Sequence, residues 1–119
     1  RHHFGVSRVA QAGALAALHD QRFMQDVVAQ VAVGRDAYYE MAKDLGLRTV
    51  PSFTNFVAFD LETKERAEAL LFALLERAVF IRKPAAPHID QLVRITVGTS
   101  HERELLASET SACSKVFAV

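Results

Sequence analysis

The sequence predicts an α/β fold, an α+β sandwich in which helices cover a small, mostly antiparallel sheet of about three strands. Apolar residues recur at helical spacing over 8–45, and the spacing changes to alternation in "TNFVAFDL" at 54–61. A further helical stretch at 63–78 precedes two short apolar runs, 79–82 and 92–97. With 119 residues, half of them hydrophobic, the chain is long enough for one compact domain with a core.

Two helices are predicted at the start of the chain. Ser7 is a suitable N-cap for an alanine-rich helix over 8–19. After the polar break "HDQR", a broad apolar stripe predicts one long helix from 23 to a stop at Gly46. Gly34 lies inside that helix and indicates either close packing or a bend, since glycine is a poor helix former.

The rest of the chain alternates between strands and helices. "VPS" reads as a turn before the first strand, and Thr63 can cap the helix that follows it. "VFIR" and "LVRITV" are predicted strands, separated by a loop with two prolines. Thr99 and Glu102 have the spacing of a capping box and predict a last helix. The end of the chain, "TSACSKVFAV", has no periodicity.

Composition argues against several classes of function. Fourteen basic and fourteen acidic side chains cancel, so no net field favours nucleic acid or an anionic membrane. Cys113 is a single cysteine, which excludes an internal disulfide and makes the cytoplasm the expected location. We find no membrane segment or signal peptide. Because the chain begins at Arg1, we expect a piece of a longer polypeptide, or a processed or trimmed N-terminus.

The charged residue inside the last predicted strand is the strongest candidate for a site. Alternation in "LVRITV" places Val93 and Ile95 on one face and Arg94 on the other. A covered guanidinium must meet a carboxylate, a phosphate or solvent. Arg94 is therefore part of an exposed strand face, an internal salt bridge, or a planar fork for an anionic ligand.

Other polar residues offer weaker candidates. Arg82 ends the preceding strand, where it either joins Arg94 in an anion site or marks a solvated strand end. Asn55 either contacts a ligand or serves as a turn residue. The five histidines show no metal-binding pattern beyond an adjacent pair at 2–3, so we predict no metal. Cys113 is expected to be a bystander because no histidine lies near it in sequence.

Three separated stretches together resemble one known family. "FGVSRVAQAGALAALHD" at 4–20, "LGLRTVPSFTNFVAFD" at 45–60 and "VFIRKP…LVRITVGT" at 79–99 are similar, in order and spacing, to the C-terminal part of histidinol-phosphate aminotransferases. The resemblance implies a dimeric pyridoxal-phosphate enzyme of fold type I. It also implies a helix from a large domain at 1–20, a small C-terminal domain at 21–112, and an irregular tail at 113–119.

The resemblance also implies roles for particular residues. In the family the arginine of "RITVGT" binds the anionic end of the substrate, and the arginine of the "IR" strand end assists; these positions are Arg94 and Arg82. Arg94 is then expected to be buried because its counter-ion arrives with the substrate. The lysine that forms the Schiff base lies upstream of the matching region, so we expect this chain alone to be inactive. "SKVF", with Lys115, resembles the start of the family's lysine motif but stands after the small domain.

Two alternatives to the aminotransferase reading remain. One is a stand-alone module that binds small anions, and the other is a structural or interaction fragment whose alanine-rich first helix packs on a partner. Ala78 also stands where the family has glycine between helix and strand, which leaves the local turn open.

Overall fold

A computed structural model describes residues 5–113, which form four helices and one three-stranded sheet. The elements follow in the order α1 (Arg8–His19), α2 (Gln21–Asp44), β1 (Arg48–Val50), β2 (Phe56–Asp60), α3 (Lys64–Leu75), β3 (Leu92–Thr96) and α4 (Ser100–Ala112). The chain falls into two compact units, divided between Gln30 and Val31. The predicted fold class is confirmed.

The first unit contains α1 and the first part of α2. The Ser7 hydroxyl accepts a hydrogen bond from the Ala10 amide at 3.2 Å, which is the predicted cap of α1. A carboxylate oxygen of Asp20 accepts from the Phe23 amide at 3.1 Å in the first turn of α2. Every described residue of this unit is exposed, and each of its helices begins with a side-chain oxygen that accepts from a backbone amide.

The second unit begins inside α2. Tyr38 and Ala42 on this helix belong to the core, and the helix ends before Gly46, which adopts a left-handed φ of 69°. Gly34 is explained by close packing, because a Cβ at this position would lie 2.2 Å from Cγ1 of Val97. A larger residue would force that side chain to move.

The sheet is antiparallel throughout, with strand order β1-β2-β3. The sequence analysis missed β1, which at three residues is too short to show alternation. Its register pairs Thr49 with Phe59. One face of the sheet forms the core with α3 and neighbouring helices, through buried residues Val57, Phe59, Val93, Ile95, Ala67, Leu70, Leu74 and Leu106.

The predicted strand "VFIR" is wrong, since only Arg82 pairs with β3, as an isolated bridge to Arg94. In this register the next ladder bond would run from the Phe80 amide to the Thr96 carbonyl, but that carbonyl already accepts from the Tyr38 hydroxyl at 3.1 Å. The Val79 amide donates to the Leu74 carbonyl at 2.9 Å and closes the end of α3. The segment therefore separates from β3 on the N-terminal side of Arg82.

The turn at the end of α3 passes through Ala78, the position whose local turn the sequence left open. Ala78 adopts a left-handed φ of 59°. An L-residue in this region costs roughly 1–2 kcal/mol. The turn therefore forms with alanine at an energetic cost that glycine would not carry.

Both later helices begin with the predicted caps. Thr63 accepts from the Arg66 amide at 3.2 Å, and Thr99 forms a reciprocal capping box with Glu102. The end of α4 differs from the sequence expectation, because the helix continues through Ala112 into the stretch without periodicity. Cys113 is buried at its C-cap, and the rest of the predicted irregular tail, including Lys115, lies outside the described residues.

Candidate anion-binding site

Arg94 lies in the middle of β3 on the sheet face opposite the core. Its neighbours Val93 and Ile95 are buried on the inner face, as alternation predicted. The register places Ala58 of β2 directly beside Arg94. The arginine is half-buried rather than buried, which corrects the expectation of full burial. Within residues 5–113, its sheet face is not covered well enough to exclude solvent.

Arg82 is directly opposite Arg94 on the other side of β3. The Arg82 amide donates to the Arg94 carbonyl at 3.1 Å, and the Arg94 amide donates to the Arg82 carbonyl at 2.6 Å. Directly opposed residues of an antiparallel pair project to the same face. The structure therefore brings the two candidate arginines onto one face, with Arg82 more exposed than Arg94.

Neither guanidinium has an acidic partner among residues 5–113. All six ion pairs in this part of the chain involve other basic residues, so the internal salt bridge considered for Arg94 is absent there. Like charges directly opposed across a strand pair repel. Arg94 instead lies over the ring of Phe56, with 4.4 Å between its Cζ and the ring centroid.

A cavity of about 680 Å³ opens beside the two arginines, where the segment 78–81 separates from β3. Phe80, Leu105 and Leu106 supply apolar walls. Tyr38 lines the cavity, and burial raises the pKa of its hydroxyl, which donates to the Thr96 carbonyl. The cavity lining therefore combines apolar walls with charged residues, Arg82, Arg94 and the acidic Glu102.

Asn55 is exposed and is not among the residues that line this cavity. Its backbone carbonyl accepts from the Val97 amide at 2.8 Å. This bond continues the β2–β3 pairing by one position. The observed contact therefore gives Asn55 a part in strand pairing, and a part in ligand binding stays a prediction.

The described lysines do not fit the role of a Schiff-base lysine. Lys43 pairs with Glu40, and Lys64 and Lys83 both pair with Glu68. None of the three lines the cavity. Among residues 5–113, the basic residues that line the cavity are Arg82 and Arg94.

Metal and thiol chemistry find no support in the described part of the chain. Residues 5–113 contain no cluster of three or more side chains that could ligate a metal. Cys113 is buried at the end of α4 and does not line the cavity.

No helix within residues 5–113 is long and apolar enough to cross a membrane.

Sequence reasoning missed Phe56, whose ring lies beneath the Arg94 guanidinium. Alternation places 56 and 58 on one face of β2, but the register that puts Phe56 next to Arg94 comes from strand pairing. The hydrogen bond between Tyr38 and Thr96 also had no local signal, because the two residues are 58 positions apart.

The fold and this arginine-bearing sheet define the class of protein. The chain belongs to the aminotransferase class I and II family, because the sequence model of that family matches residues 1–109. The resemblance seen in the three sequence stretches is confirmed.

Individual relatives make the comparison more specific. Histidinol-phosphate aminotransferase of Bacillus subtilis (strain 168) is 42% identical over 104 residues, which cover 87% of this chain and 28% of that protein. Histidinol-phosphate aminotransferase 2 of Gluconobacter oxydans is 38% identical over 96 residues, covering 81% of this chain and 27% of the relative. The chain thus spans less than a third of these relatives.

A solved structure shows the same fold. The crystal structure of histidinol-phosphate aminotransferase from Sinorhizobium meliloti in complex with pyridoxal-5'-phosphate matches with a TM-score of 0.90 and 35% identity. The match covers 99% of this chain and 33% of that structure. A putative histidinol-phosphate aminotransferase from Erwinia carotovora atroseptica matches with a TM-score of 0.75 and 26% identity, over 88% of this chain and 30% of that one.

Proposed function

We propose that this chain is the small C-terminal domain of a pyridoxal-phosphate-dependent aminotransferase, specifically a histidinol-phosphate transaminase, and that it binds the anionic end of the substrate. The observation that carries the proposal is the pair Arg82 and Arg94, directly opposed on one sheet face with no carboxylate partner among residues 5–113. An incoming phosphate or carboxylate would relieve their repulsion.

Arg94 is the main binding residue in this proposal. A guanidinium presents N–H donors in a planar fork that matches a carboxylate or phosphate in bidentate fashion. Because Arg94 is half-buried, its electrostatic attraction to an anion is stronger than it would be in bulk water. Arg82 adds charge from the opposite side of β3 and, being exposed, contributes more to attraction than to orientation.

The division of labour follows from what the described residues can do. Pyridoxal phosphate, when bound to the complete enzyme, supplies the amino-transfer chemistry. Residues 5–113 contain no lysine suited to hold it, so this domain binds and orients the substrate. The domain division at 1–20, 21–112 and 113–119 belongs to the same proposal.

The wider setting is also part of the proposal. We place the complete enzyme in histidine biosynthesis, as a cytoplasmic homodimer. The names of the relatives support the substrate, the single cysteine suits a reducing compartment, and the dimer follows from the family resemblance.

Binding of histidinol phosphate to the 119-residue chain tests the proposal. We expect Arg94→Gln to weaken the dissociation constant by about 10- to 100-fold, the range for loss of charge-assisted hydrogen bonds. Arg48→Gln is the matched control, because Arg48 lies on the same sheet face but already pairs with Asp60 at 3.0 Å. Equal binding by wild type and Arg94→Gln, measured by calorimetry, would rule out Arg94 as the anion site.

Catalysis provides a separate test. With pyridoxal phosphate, glutamate and an imidazole keto-phosphate acceptor, we expect no turnover from this chain alone. Turnover above background that disappeared on Lys115→Ala would contradict this expectation.

A stand-alone anion-binding module is the second candidate, because both arginines lie within this chain. The length of the natural gene product distinguishes the aminotransferase domain from the stand-alone module. A parent roughly three times longer with an upstream lysine motif supports the aminotransferase, whereas a gene that encodes these 119 residues alone supports the module.

A further inference from the structure

We propose that Phe56 is a positioning residue for Arg94, and that the loop 51–55 holds Phe56 in place for this purpose. The positioning stands on the contacts described below. Its consequence for substrate binding rests on the proposed function of Arg94.

The strand register makes the contact possible. Phe56 pairs with Thr96, two positions along β3 from Arg94, so the two side chains are diagonal neighbours on one face. Diagonal neighbours lie within reach of aromatic and long side chains. Ala58, directly opposite Arg94, has a small side chain and leaves the guanidinium room to lie over the ring at 4.4 Å.

Charge favours the same orientation. On the other side of β3, Arg94 faces Arg82, and two like charges repel at directly opposed positions. Phe56 offers the electron-rich face of a ring, which attracts a cation. Stacking occupies one face of the guanidinium and leaves the N–H groups at its edge available to an anion. The ring therefore holds the fork without competing for its hydrogen bonds.

A hydrogen-bond network connects Phe56 to α2. The Ser52 hydroxyl donates to the Phe56 carbonyl at 2.5 Å, and the Thr54 hydroxyl lies 3.4 Å from the same oxygen. The Ser52 amide donates to the Tyr39 hydroxyl at 2.9 Å, and Arg35 donates to the Thr54 carbonyl at 2.9 Å. These bonds give "PSFTNF" a physical role, since Ser52 and Thr54 fix the start of β2 and with it the ring beneath Arg94.

The side chain of Arg94 can be followed directly by NMR of the 119-residue chain. In the wild type we expect its Nε–H to show an upfield ring-current shift and restricted motion. Phe56→Leu is expected to remove both, and Phe56→Tyr to keep both. Phe53→Leu is the matched control, because Phe53 lies in the same loop with its side chain exposed. A purely structural role of Phe56 would change the unfolding midpoint without changing the restricted motion of the Arg94 side chain.

Ser52→Ala is a second variant that leaves the ring intact. We expect it to loosen Arg94 less than Phe56→Leu does, through the lost bond to the Phe56 carbonyl. If Arg94 is as ordered in folded Phe56→Leu as in wild type, the positioning role is overturned. If Phe56→Leu does not fold, Ser52→Ala provides the test. Unchanged Arg94 signals in Ser52→Ala overturn the role assigned to the loop 51–55. A loss of Arg94 order in Ser52→Ala supports the proposal.

An anion titration separates this proposal from the proposed function. With histidinol phosphate as the probe, we expect Phe56→Leu to weaken binding roughly two- to fivefold, as for loss of a cation–π contact at a partly exposed site. If Phe56→Leu binds histidinol phosphate as tightly as the wild type does, a positioning role of Phe56 in recognition is contradicted. If the wild type binds no anion but the order of the Arg94 side chain still depends on Phe56, the role of Arg94 in substrate binding is refuted. The positioning of Arg94 by Phe56 is then supported.

Discussion

Residues 5–30 and 31–113 form helices from the same kinds of sequence signal, yet they differ completely in burial. Every described residue of the first unit is exposed, including Leu15, Leu18 and Phe23, whereas the second unit surrounds one face of its sheet with a core. α1 begins at the Ser7 cap and is rich in alanine, and both features favour a helix locally. The comparison teaches that helix formation is local, while burial depends on what the rest of the fold supplies.

Core truncation should distinguish the two units most strongly. Phe59 is 1% exposed and Leu15 is 60% exposed. We expect Phe59→Ala to lower the free energy of unfolding by about 3–5 kcal/mol, and Leu15→Ala to leave it nearly unchanged because alanine and leucine have similar helix propensities. Urea unfolding followed by circular dichroism measures both. Similar losses for the two variants would mean that Leu15 contributes to a core in solution.

Substitution of the glycines inside α1 and α2 gives the next largest effect. A Cβ on Gly34 would lie 2.2 Å from Cγ1 of Val97, whereas a Cβ on Gly13 meets nothing within 4 Å. We expect Gly34→Ala to destabilise the second unit by about 1–3 kcal/mol. Gly13→Ala should increase the helical content of α1, because alanine is favoured by about 1 kcal/mol in a helix interior.

Melting curves and far-ultraviolet circular dichroism test the glycine pair. Stabilisation by both substitutions would show that Val97 moves aside at little cost. A loss of helical content in Gly13→Ala would show that α1 has a close neighbour in solution.

The helix caps provide the smallest expected difference. Thr99 caps α4 and Ser7 caps α1, each through a hydroxyl that accepts from a backbone amide. We expect Thr99→Ala to cost about 1 kcal/mol of unfolding free energy, and Ser7→Ala to lower the helical content of α1 without changing the unfolding of the second unit. Equal effects on the main unfolding transition would contradict the distinction between the units.

The same capping box predicts a pH dependence with a definite sign. Hydrogen bonds from the Thr99 amide and hydroxyl lower the pKa of Glu102. A carboxyl with a lowered folded-state pKa stabilises the fold above its ordinary pKa, and that contribution is lost as the pH falls through the folded-state value. Glu102→Gln should weaken this acid dependence, measured as the unfolding midpoint between neutral and acidic pH. An unchanged profile would mean that the box does not persist in solution.

Local signals predicted the helices well because caps, alanine content and apolar spacing act within a few residues. Ser7, Thr63 and Thr99 all cap helices where the sequence placed them. The strands were predicted less completely. β1 forms because its three residues pair with β2. "VFIR" does not continue along β3 because the Thr96 carbonyl, to which the Phe80 amide would donate, already accepts from Tyr38.

Local sequence signals also predicted the candidate site only in part. Alternation in "LVRITV" correctly placed Arg94 on the face opposite Val93 and Ile95. The degree of burial did not follow from alternation, because it depends on what covers the outer face. The ring beneath Arg94 was also missed, since Phe56 lies 38 positions earlier and reaches Arg94 only through the β2–β3 register.

The sequence by itself determined the family, the four helices, the caps of three of them, and the identity of the charged residue set in a strand. These features depend on residue type and spacing over short stretches. Only the tertiary structure decided that Arg82 and Arg94 are directly opposed, that Phe56 lies under Arg94, and that Gly34 meets Val97. Each of these contacts joins residues distant in the chain, so strand register and helix packing select them, and neither is encoded by local spacing.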